Sequence, residues 1–219
     1  AANVEALGFP RRVDTLDLAI RLLGPRETYL IAERADECSP RSVHTGLVLE
    51  RYVRDARFCA KATERIAQAM GLGHLSACAA AGLLSDLGRL VLARVAPSHY
   101  RKIDPELTND DLIAAEQKSL GISHPEAGYM LTERWGLPPD ISEAILFHHE
   151  PKRATRAHQL VAAVSAAQRL ASLYGATVEE GRVVFKDCLE LLQNAGLNFR
   201  TAAEIVSELG RLREDSYRY

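Results

Sequence analysis

The chain has 219 residues, of which 47% are hydrophobic and 26% are charged, and its formal net charge is -2. This composition is typical of a soluble globular protein with one medium-sized core or two small ones, and the nearly balanced charge argues against broad electrostatic binding to nucleic acid or anionic membranes. No apolar run approaches the roughly 20 residues that a membrane span needs, and four cysteines without CxxC spacing favour a reducing cytoplasm.

Helix start and stop signals recur along the chain, whereas alternating strand patterns are not apparent. A first helix is predicted from the cap Asp14 to Gly24, and a second begins at Pro25, where the missing N–H costs nothing. A long helical stretch runs from Ser39 to Met70. Two short apolar helices follow, in the segments HLSACAAAGLLSD and LGRLVLARVA.

The second half of the chain has the same helix start and stop signals. Three segments begin with Thr, Ser or Pro, and a long helix and two closing helices around Asp187 and Glu204 follow them. The sequence therefore predicts an all-α fold, a multi-helix bundle of about ten helices around one main core. The segments of the second half are TNDDLIAAEQKSLG, SHPEAGYMLTERWG, PPDISEAILFHHE and RATRAHQLVAAVSAAQRLASLYG.

A polar pair, Ser85-Asp86, interrupts the apolar stretch AGLLSDLGRLVL. An aspartate at such a break is either a metal ligand or the N-cap of the next helix. His124 begins a later helix and the adjacent His148 and His149 end another, and imidazole together with carboxylate suits zinc, iron or manganese. The alternative is structural, since a histidine can cap or pack at a helix start and cations at a helix end complement the dipole.

These segments resemble the HDOD family, the HD-related output domains of bacterial signalling proteins. AGLLSDLGRLVL corresponds to the Gly-Leu-Leu-His-Asp-Ile-Gly stretch of that family. GISHPEAGYMLTERWGLPPDISEAILFHHEP contains its histidine, Trp-Gly-Leu-Pro, His-His and proline in the same order. The resemblance runs from about Asn3 to Leu173 and implies an HD-like bundle. Residues 1–38 would be the remainder of an N-terminal helical region, residues 39–175 the HD-related core, and residues 176–219 C-terminal helices packed on it.

The chain departs from the ligand pattern of the wider superfamily. HD-type phosphohydrolases bind metal through a first histidine, a His-Asp pair, further histidines and a final aspartate. The resemblance places Ser85 at the paired histidine and Gln168 at the final aspartate. At the first histidine position the chain has Arg57 or Phe58. Three of the expected ligands are therefore missing.

The remaining ligands are too few for hydrolysis, which needs several protein ligands and an open position for an activated water. We predict that the chain is not an enzyme, needs no cofactor and binds no divalent metal tightly. Asp86 is expected to remain as a helix cap or a buried hydrogen-bond hub, with His148 or His149 as a partner. The predicted vestigial site consists of Ser85, Asp86, His124, His148 and His149.

Three further features have both a functional and a structural interpretation. Lys152, Arg153 and Arg156 follow the histidine pair and predict either an anion site or a solvated loop. The cations between residues 51 and 65 alternate with acids, which favours an exposed, salt-bridged helix face over nucleic-acid contact. Trp135 is expected to pack in the core and to fix the following turn, with a role in recognition as the alternative.

The leading hypothesis is a non-catalytic signalling module that binds a partner signalling protein or a neighbouring regulatory domain. The resemblance implies a bacterial regulatory setting. The cysteines favour a cytoplasmic location, the net charge argues against nucleic acid or membrane as a partner, and homodimerisation is left open. One alternative is a nucleotide or second-messenger pocket around Asp86 and His148, near Arg153 and Arg156. The other alternative is a residual metal-dependent phosphohydrolase.

Overall fold

The regular elements in the described part of the chain are all helices, which confirms the all-α prediction. The computed structural model describes residues 49–103, 107, 109–172 and 178–215. The expectations for residues 1–38, and for the long helix before residue 49, lie outside the described residues. The helices are α1 (Leu49–Ala69), α2 (Leu75–Leu84), α3 (Leu87–Val95), α4 (Pro97–Tyr100), α5 (Asn109–Leu120), α6 (His124–Arg134), α7 (Pro139–Phe147), a short 3-10 helix (Pro151–Arg153), α8 (His158–Ala171), α9 (Val178–Asn194) and α10 (Phe199–Asp215).

Several helix boundaries fall where the glycine, proline and capping residues predict them. The turn after α1 contains Gly71, whose φ of 72° is a left-handed conformation that glycine adopts without strain. At the start of α6, Ser123 and Glu126 form a capping box and Pro125 lies in the first turn. These local signals fix where α6 begins and therefore where His124 lies.

The start of α8 differs from the prediction, which began this helix before residue 158. A buried carboxylate explains the difference, because Glu143 of α7 accepts hydrogen bonds from three successive backbone N–H groups. Its Oε1 lies 2.8 Å from the amide nitrogen of Thr155, and its Oε2 lies 3.1 Å from that of Arg156 and 2.7 Å from that of Ala157. These residues form a loop around the carboxylate, and α8 begins only at His158.

We expect Glu143→Gln to lower the free energy of unfolding at neutral pH by about 1.5–3 kcal/mol, the usual contribution of hydrogen bonds to a charged group. Burial raises the pKa of Glu143, but the hydrogen bonds from Thr155, Ala157 and Arg156 outweigh it and lower the pKa below 4.5. The carboxylate therefore stabilises the fold above its unfolded pKa, and this stabilisation is lost as the pH falls through the folded pKa.

Urea unfolding at several pH values tests this expectation. The difference in the free energy of unfolding between the wild type and Glu143→Gln should shrink in acid. A difference that stayed constant down to low pH would contradict the stabilising role of the ionised Glu143 carboxylate. Glu133→Gln is the matched control, since Glu133 is exposed on α6, and it should change stability by less than about 0.5 kcal/mol.

Helix α8 lies at the centre of the described core. Ten of its residues are buried, six of them alanine or serine, so neighbouring helices approach it closely. One hydrophobic cluster joins α8 to α1, α9 and α10, and a second joins it to α2 and α7. The described parts of α9 and α10 thus share a core with α1 and α8, while the predicted domain boundaries stay a prediction.

Two glycines permit close helix crossings. A Cβ atom at Gly82 of α2 would lie 2.5 Å from the carbonyl oxygen of Cys59 on α1. A Cβ atom at Gly88 of α3 would lie only 1.8 Å from the carbonyl oxygen of His124 on α6. The backbones on both sides of the Ser85-Asp86 break are therefore in direct contact with other helices, which fixes the position of the break.

The stretch Leu75–Val95 is more apolar than the sequence analysis allowed. By length and composition alone this 21-residue stretch passes as a membrane span, with a mean hydropathy of 1.5 over an 18-residue window, so the statement that no run approaches this length is wrong. The stretch comprises two helices, α2 and α3, separated at Ser85-Asp86 and packed on α1 and α6. One such stretch is weak evidence for a membrane span, because core helices of soluble proteins have the same composition.

Candidate functional site

Asp86 lies between α2 and α3, and its carboxylate does not cap α3. The residue occupies the N-cap position, but its side chain makes no capping hydrogen bond, so the cap interpretation is wrong. Instead Oδ1 lies 3.4 Å from Nε2 of His124 and 3.7 Å from Nε2 of His148. The other oxygen, Oδ2, lies 3.6 Å from Nη1 of Arg89. Asp86 thus connects a cation on one side with two imidazoles on the other.

His124 is held in place from behind by a buried acid. Its Nδ1 donates to Oε2 of Glu116 on α5 at 2.7 Å, and its backbone N–H donates to the same oxygen at 2.8 Å. The hydroxyl of Tyr100 also donates to Glu116. Because Nδ1 is engaged with the carboxylate, Nε2 of His124 points toward Asp86 and His149.

The adjacent histidines end α7 and reach the same point. Nδ1 of His148 donates to the carbonyl oxygen of Ile145 at 2.7 Å, which leaves Nε2 as the ring atom directed at Asp86. This Nε2 is buried and has no hydrogen-bond partner among the described residues. Nε2 of His149 lies 3.2 Å from Nε2 of His124. The structure therefore brings Asp86 together with all three histidines that the sequence analysis selected, and their ligand atoms lie within 4.8 Å of one another.

The electrostatics of this cluster differ from one imidazole to the next. Burial lowers the pKa of His124, but hydrogen bonds with Asp86 and Glu116 outweigh it and raise the pKa above 6.5. For His149, burial and the neighbouring His148 and His124 lower the pKa to about 2. Burial raises the pKa of Asp86, yet the neighbouring His124 and His148 and the charge of Arg89 hold it well below its usual range. Asp86 is therefore ionised, and His149 is neutral at physiological pH.

Two charged residues at the cluster were not selected from the sequence. Glu116 is fully buried and Arg89 is largely buried beside Asp86. Burial lowers the pKa of Arg89, but the charge of Asp86 outweighs it and raises the pKa. A signal for Glu116 was present, because it follows the buried Leu112 by four residues and so lies on the inward face of an amphipathic helix. The sequence carried no comparable signal for Arg89.

The positions assigned to two missing ligands do meet in space. The amide nitrogen of Gln168 on α8 donates to Oγ of Ser85 at 2.6 Å, and Ser85 donates to the carbonyl oxygen of Gly82 at 2.7 Å. The thiol of Cys59 donates to Oε1 of Gln168 at 3.3 Å. A chain of neutral hydrogen bonds thus occupies the place where the superfamily pattern expects a histidine and an aspartate.

The sequence analysis placed the first histidine of the superfamily pattern at Arg57 or Phe58, and this placement is wrong. Arg57 is exposed on α1 and Phe58 packs in the core between α1 and the C-terminal helices, so neither side chain points to the cluster. From α1 it is Tyr52 that approaches, near enough for the charges of Asp86 and Arg89 to act on its pKa, which burial raises. The contribution of α1 is therefore a phenol rather than a ligand.

The predicted anion-binding residues do not converge on one point. Arg153 pairs with Glu150 at 2.6 Å, and Arg156 pairs with Asp140 at 3.4 Å. A cavity of about 720 Å³ borders the cluster at His149, and its wall includes Lys152 and Arg153 but not Arg156. Charges of both signs line this cavity, with Lys152, Arg153 and Arg169 against Glu150, Asp187 and Glu190.

Trp135 is not a core residue. About half of its surface, 49%, is exposed at the end of α6, so the expected core position is wrong. The turn that follows is instead fixed by Gly136, with a φ of 67°, and by a hydrogen bond from the amide of Leu137 to the carbonyl oxygen of Thr132. Trp135 is therefore available for contact with another molecule.

The HDOD domain family matches residues 1–151 of the chain, and the chain belongs to this family. No curated protein matches it in sequence. The MmoQ response regulator of Methylococcus capsulatus str. Bath has a similar structure, with a TM-score of 0.74 and 22% identity over 94% of this chain and 81% of that one.

Two other solved structures have the same fold. An HDOD domain protein of unknown function from Geobacter sulfurreducens matches with a TM-score of 0.66 and 21% identity, over 98% of this chain and 76% of that one. A protein of Shewanella amazonensis SB2B named as a candidate phosphohydrolase matches with a TM-score of 0.64 and 21% identity, over 98% and 81%. At such identities the similarity establishes the fold alone.

Proposed function

We propose that this HDOD chain is a non-catalytic signalling module of a bacterial cytoplasm, which binds a partner protein or a neighbouring regulatory domain. The observation that carries the proposal is the neutral pair of Ser85 and Gln168, hydrogen-bonded at 2.6 Å beside Asp86. A hydrolytic centre needs charged or imidazole ligands and an open position for water. A serine and an amide that satisfy each other provide neither.

The exposed end of α6 supports the binding part of the proposal. Trp135, which directly follows α6, exposes 49% of its surface, and Met130 of α6 exposes 62%. Tryptophan and methionine are enriched in protein interfaces, and tryptophan is among the residues that most often dominate binding energy. We therefore assign Trp135 as an anchor for the partner.

We expect Trp135→Ala to weaken partner binding by about 2 kcal/mol or more, which is roughly 30-fold in affinity. The measurement is capture from the source cell with the full chain, followed by titration with the purified partner. Phe199→Ala is the matched control, because Phe199 is an aromatic residue of α10 that is 61% exposed, and this variant should bind as the wild type does.

Equal binding by Trp135→Ala and the wild type would contradict the anchor assignment. Hydrolysis of a phosphodiester by the purified chain, lost in Asp86→Asn, would contradict the non-catalytic part of the proposal and favour the residual phosphohydrolase instead.

A nucleotide or second-messenger pocket is the second candidate, and the cavity beside His149 is the observation that favours it. Its volume of about 720 Å³ suits a small-molecule ligand, and Lys152 and Arg153 lie in its wall. The acids in the same wall count against an anionic ligand. Titration with a cyclic dinucleotide, compared between the wild type and Lys152→Ala, separates this candidate from the first.

A further inference from the structure

The cavity beside His149 lies between the segment around the 3-10 helix, α8 and the second half of α9, and its two sides differ in charge. We propose that this cavity binds a short zwitterionic peptide of two or three residues, with the carboxylate of the peptide toward Lys152 and its ammonium toward Glu190. The proposal goes beyond the signalling function, which does not depend on it, and it competes with the nucleotide candidate for the same cavity.

The side of the cavity at the 3-10 helix is cationic. Lys152 and Arg153 belong to this helix, line the cavity and are exposed. The guanidinium of Arg153 is already paired with Glu150 at 2.6 Å. Lys152, in contrast, takes part in no ion pair with the described part of the chain. Its ammonium group is therefore available to a carboxylate that enters the cavity.

The side of the cavity at α9 is acidic. Asp187 and Glu190 both line it, and Asp187 is already paired with Arg169 of α8 at 3.5 Å. Glu190 lies 3.8 Å from Lys186, and both of these side chains are exposed. Such exposed pairs contribute little to stability, so the carboxylate of Glu190 can exchange this partner for the ammonium group of a ligand.

The end of helix α9 gives the same polarity as its acids. The helix ends at Asn194, which lines the cavity together with Ala195, and its last turn contains no basic residue. The carbonyl end of a helix carries a partial negative charge, which basic residues in the last turn would compensate. The backbone and the side chain of Glu190 therefore both favour a cationic group on this side.

A ligand with charge of one sign suits only one side of the cavity. A cyclic dinucleotide is an anion and would also meet Asp187, Glu190 and the carbonyl end of α9. A polyamine is a cation and would also meet Lys152, Arg153 and Arg169. A zwitterion matches both sides, because complementary charges are what make recognition specific.

The size and the apolar part of the cavity indicate a peptide rather than a free amino acid. The volume of about 720 Å³ exceeds what one amino acid needs and lies within the range of about 300–1,000 Å³ that is usual for small-molecule sites. Buried Ala162 and half-buried Leu191 also line the cavity. They provide an apolar surface for an aliphatic side chain of the peptide.

The test is calorimetric titration of the full 219-residue chain with alanyl-leucine and with two analogues that each lack one charge. The N-acetyl analogue has no ammonium group, and the C-terminal amide has no carboxylate. We expect alanyl-leucine to bind at least about tenfold more tightly than either analogue, since hydrogen bonds to charged groups contribute that much to affinity.

Two variants assign each charge of the peptide to its side of the cavity. Lys152→Ala should weaken binding of alanyl-leucine about tenfold and leave binding of the amide unchanged, whereas Glu190→Gln should weaken alanyl-leucine and leave the N-acetyl analogue unchanged. Arg156→Ala is the matched control, because Arg156 is an exposed cation outside the cavity wall, and it should bind alanyl-leucine as the wild type does.

Three results would overturn the proposal. The first is the absence of binding by alanyl-leucine and by alanyl-alanyl-leucine at millimolar concentration. The second is equal binding of the zwitterion and its two analogues, or binding that neither cavity variant changes. The third is tighter binding of a cyclic dinucleotide than of either peptide, which would favour the nucleotide candidate. None of these results bears on the binding of a partner protein through Trp135.

Discussion

Gly88→Ala should unfold the protein or reduce its free energy of unfolding by about 4 kcal/mol or more, an exceptional effect for a single methyl group. The added Cβ atom would lie 1.8 Å from the carbonyl oxygen of His124 and 2.8 Å from the backbone nitrogen of Gly128. Both atoms belong to the backbone of α6 and cannot rotate away. Helices α3 and α6 would have to separate, which would also pull Asp86 away from His124.

Urea unfolding followed by circular dichroism measures this effect, and Gly210→Ala provides a control with the same chemical change. Gly210 lies within α10, and a Cβ atom there would meet nothing within 4 Å. Because alanine has the higher helix propensity, Gly210→Ala should stabilise the protein by about 0.5–1 kcal/mol. Two variants with the same small loss of stability would refute the close contact between α3 and α6.

Glu116→Ala should cost about 3–5 kcal/mol, the usual effect of removing one partner from a buried charged network. Glu116 is fully buried and accepts hydrogen bonds from the backbone and the ring of His124 and from the hydroxyl of Tyr100. Its removal leaves these donors without that acceptor in a buried site. It also leaves Arg89 with one acid fewer nearby, since the charge of Glu116 acts on the pKa of Arg89.

Thermal and chemical unfolding of two variants separates the charge of Glu116 from its hydrogen bonds. Glu116→Gln keeps the carbonyl oxygen as an acceptor and should lose clearly less stability than Glu116→Ala. A Glu116→Ala variant as stable as the wild type would show that the acid does not support His124.

The sequence was sufficient for the helical class of the fold and for the residues of the Asp86 cluster, and the reason is that both depend on local signals. Glycine, proline and the capping box of Ser123 mark helix ends whatever the tertiary structure is. Asp86 and the three histidines could be selected because each stands at such a helix end. Their convergence within 4.8 Å could be expected only through the family resemblance.

The errors arose where a side chain's surroundings come from distant parts of the chain. Trp135 was assigned to the core by its residue type, but only the packing of α6 decides that it faces outward. The start of α8 depends on a carboxylate that lies twelve or more residues earlier, on α7.

The hydrogen bonds of Gln168 have a consequence for how the chain reaches its native state. They join Gln168 to Ser85 across 83 residues and to Cys59 across 109 residues. Contacts between such distant positions form only after the entropic cost of closing long loops has been met, and folding rates fall as the mean separation of contacts grows. Every described element is a helix, but the central helix α8 is joined to the rest of the protein by contacts between distant positions of the chain. Refolding should therefore be slow for an all-helical chain of this length.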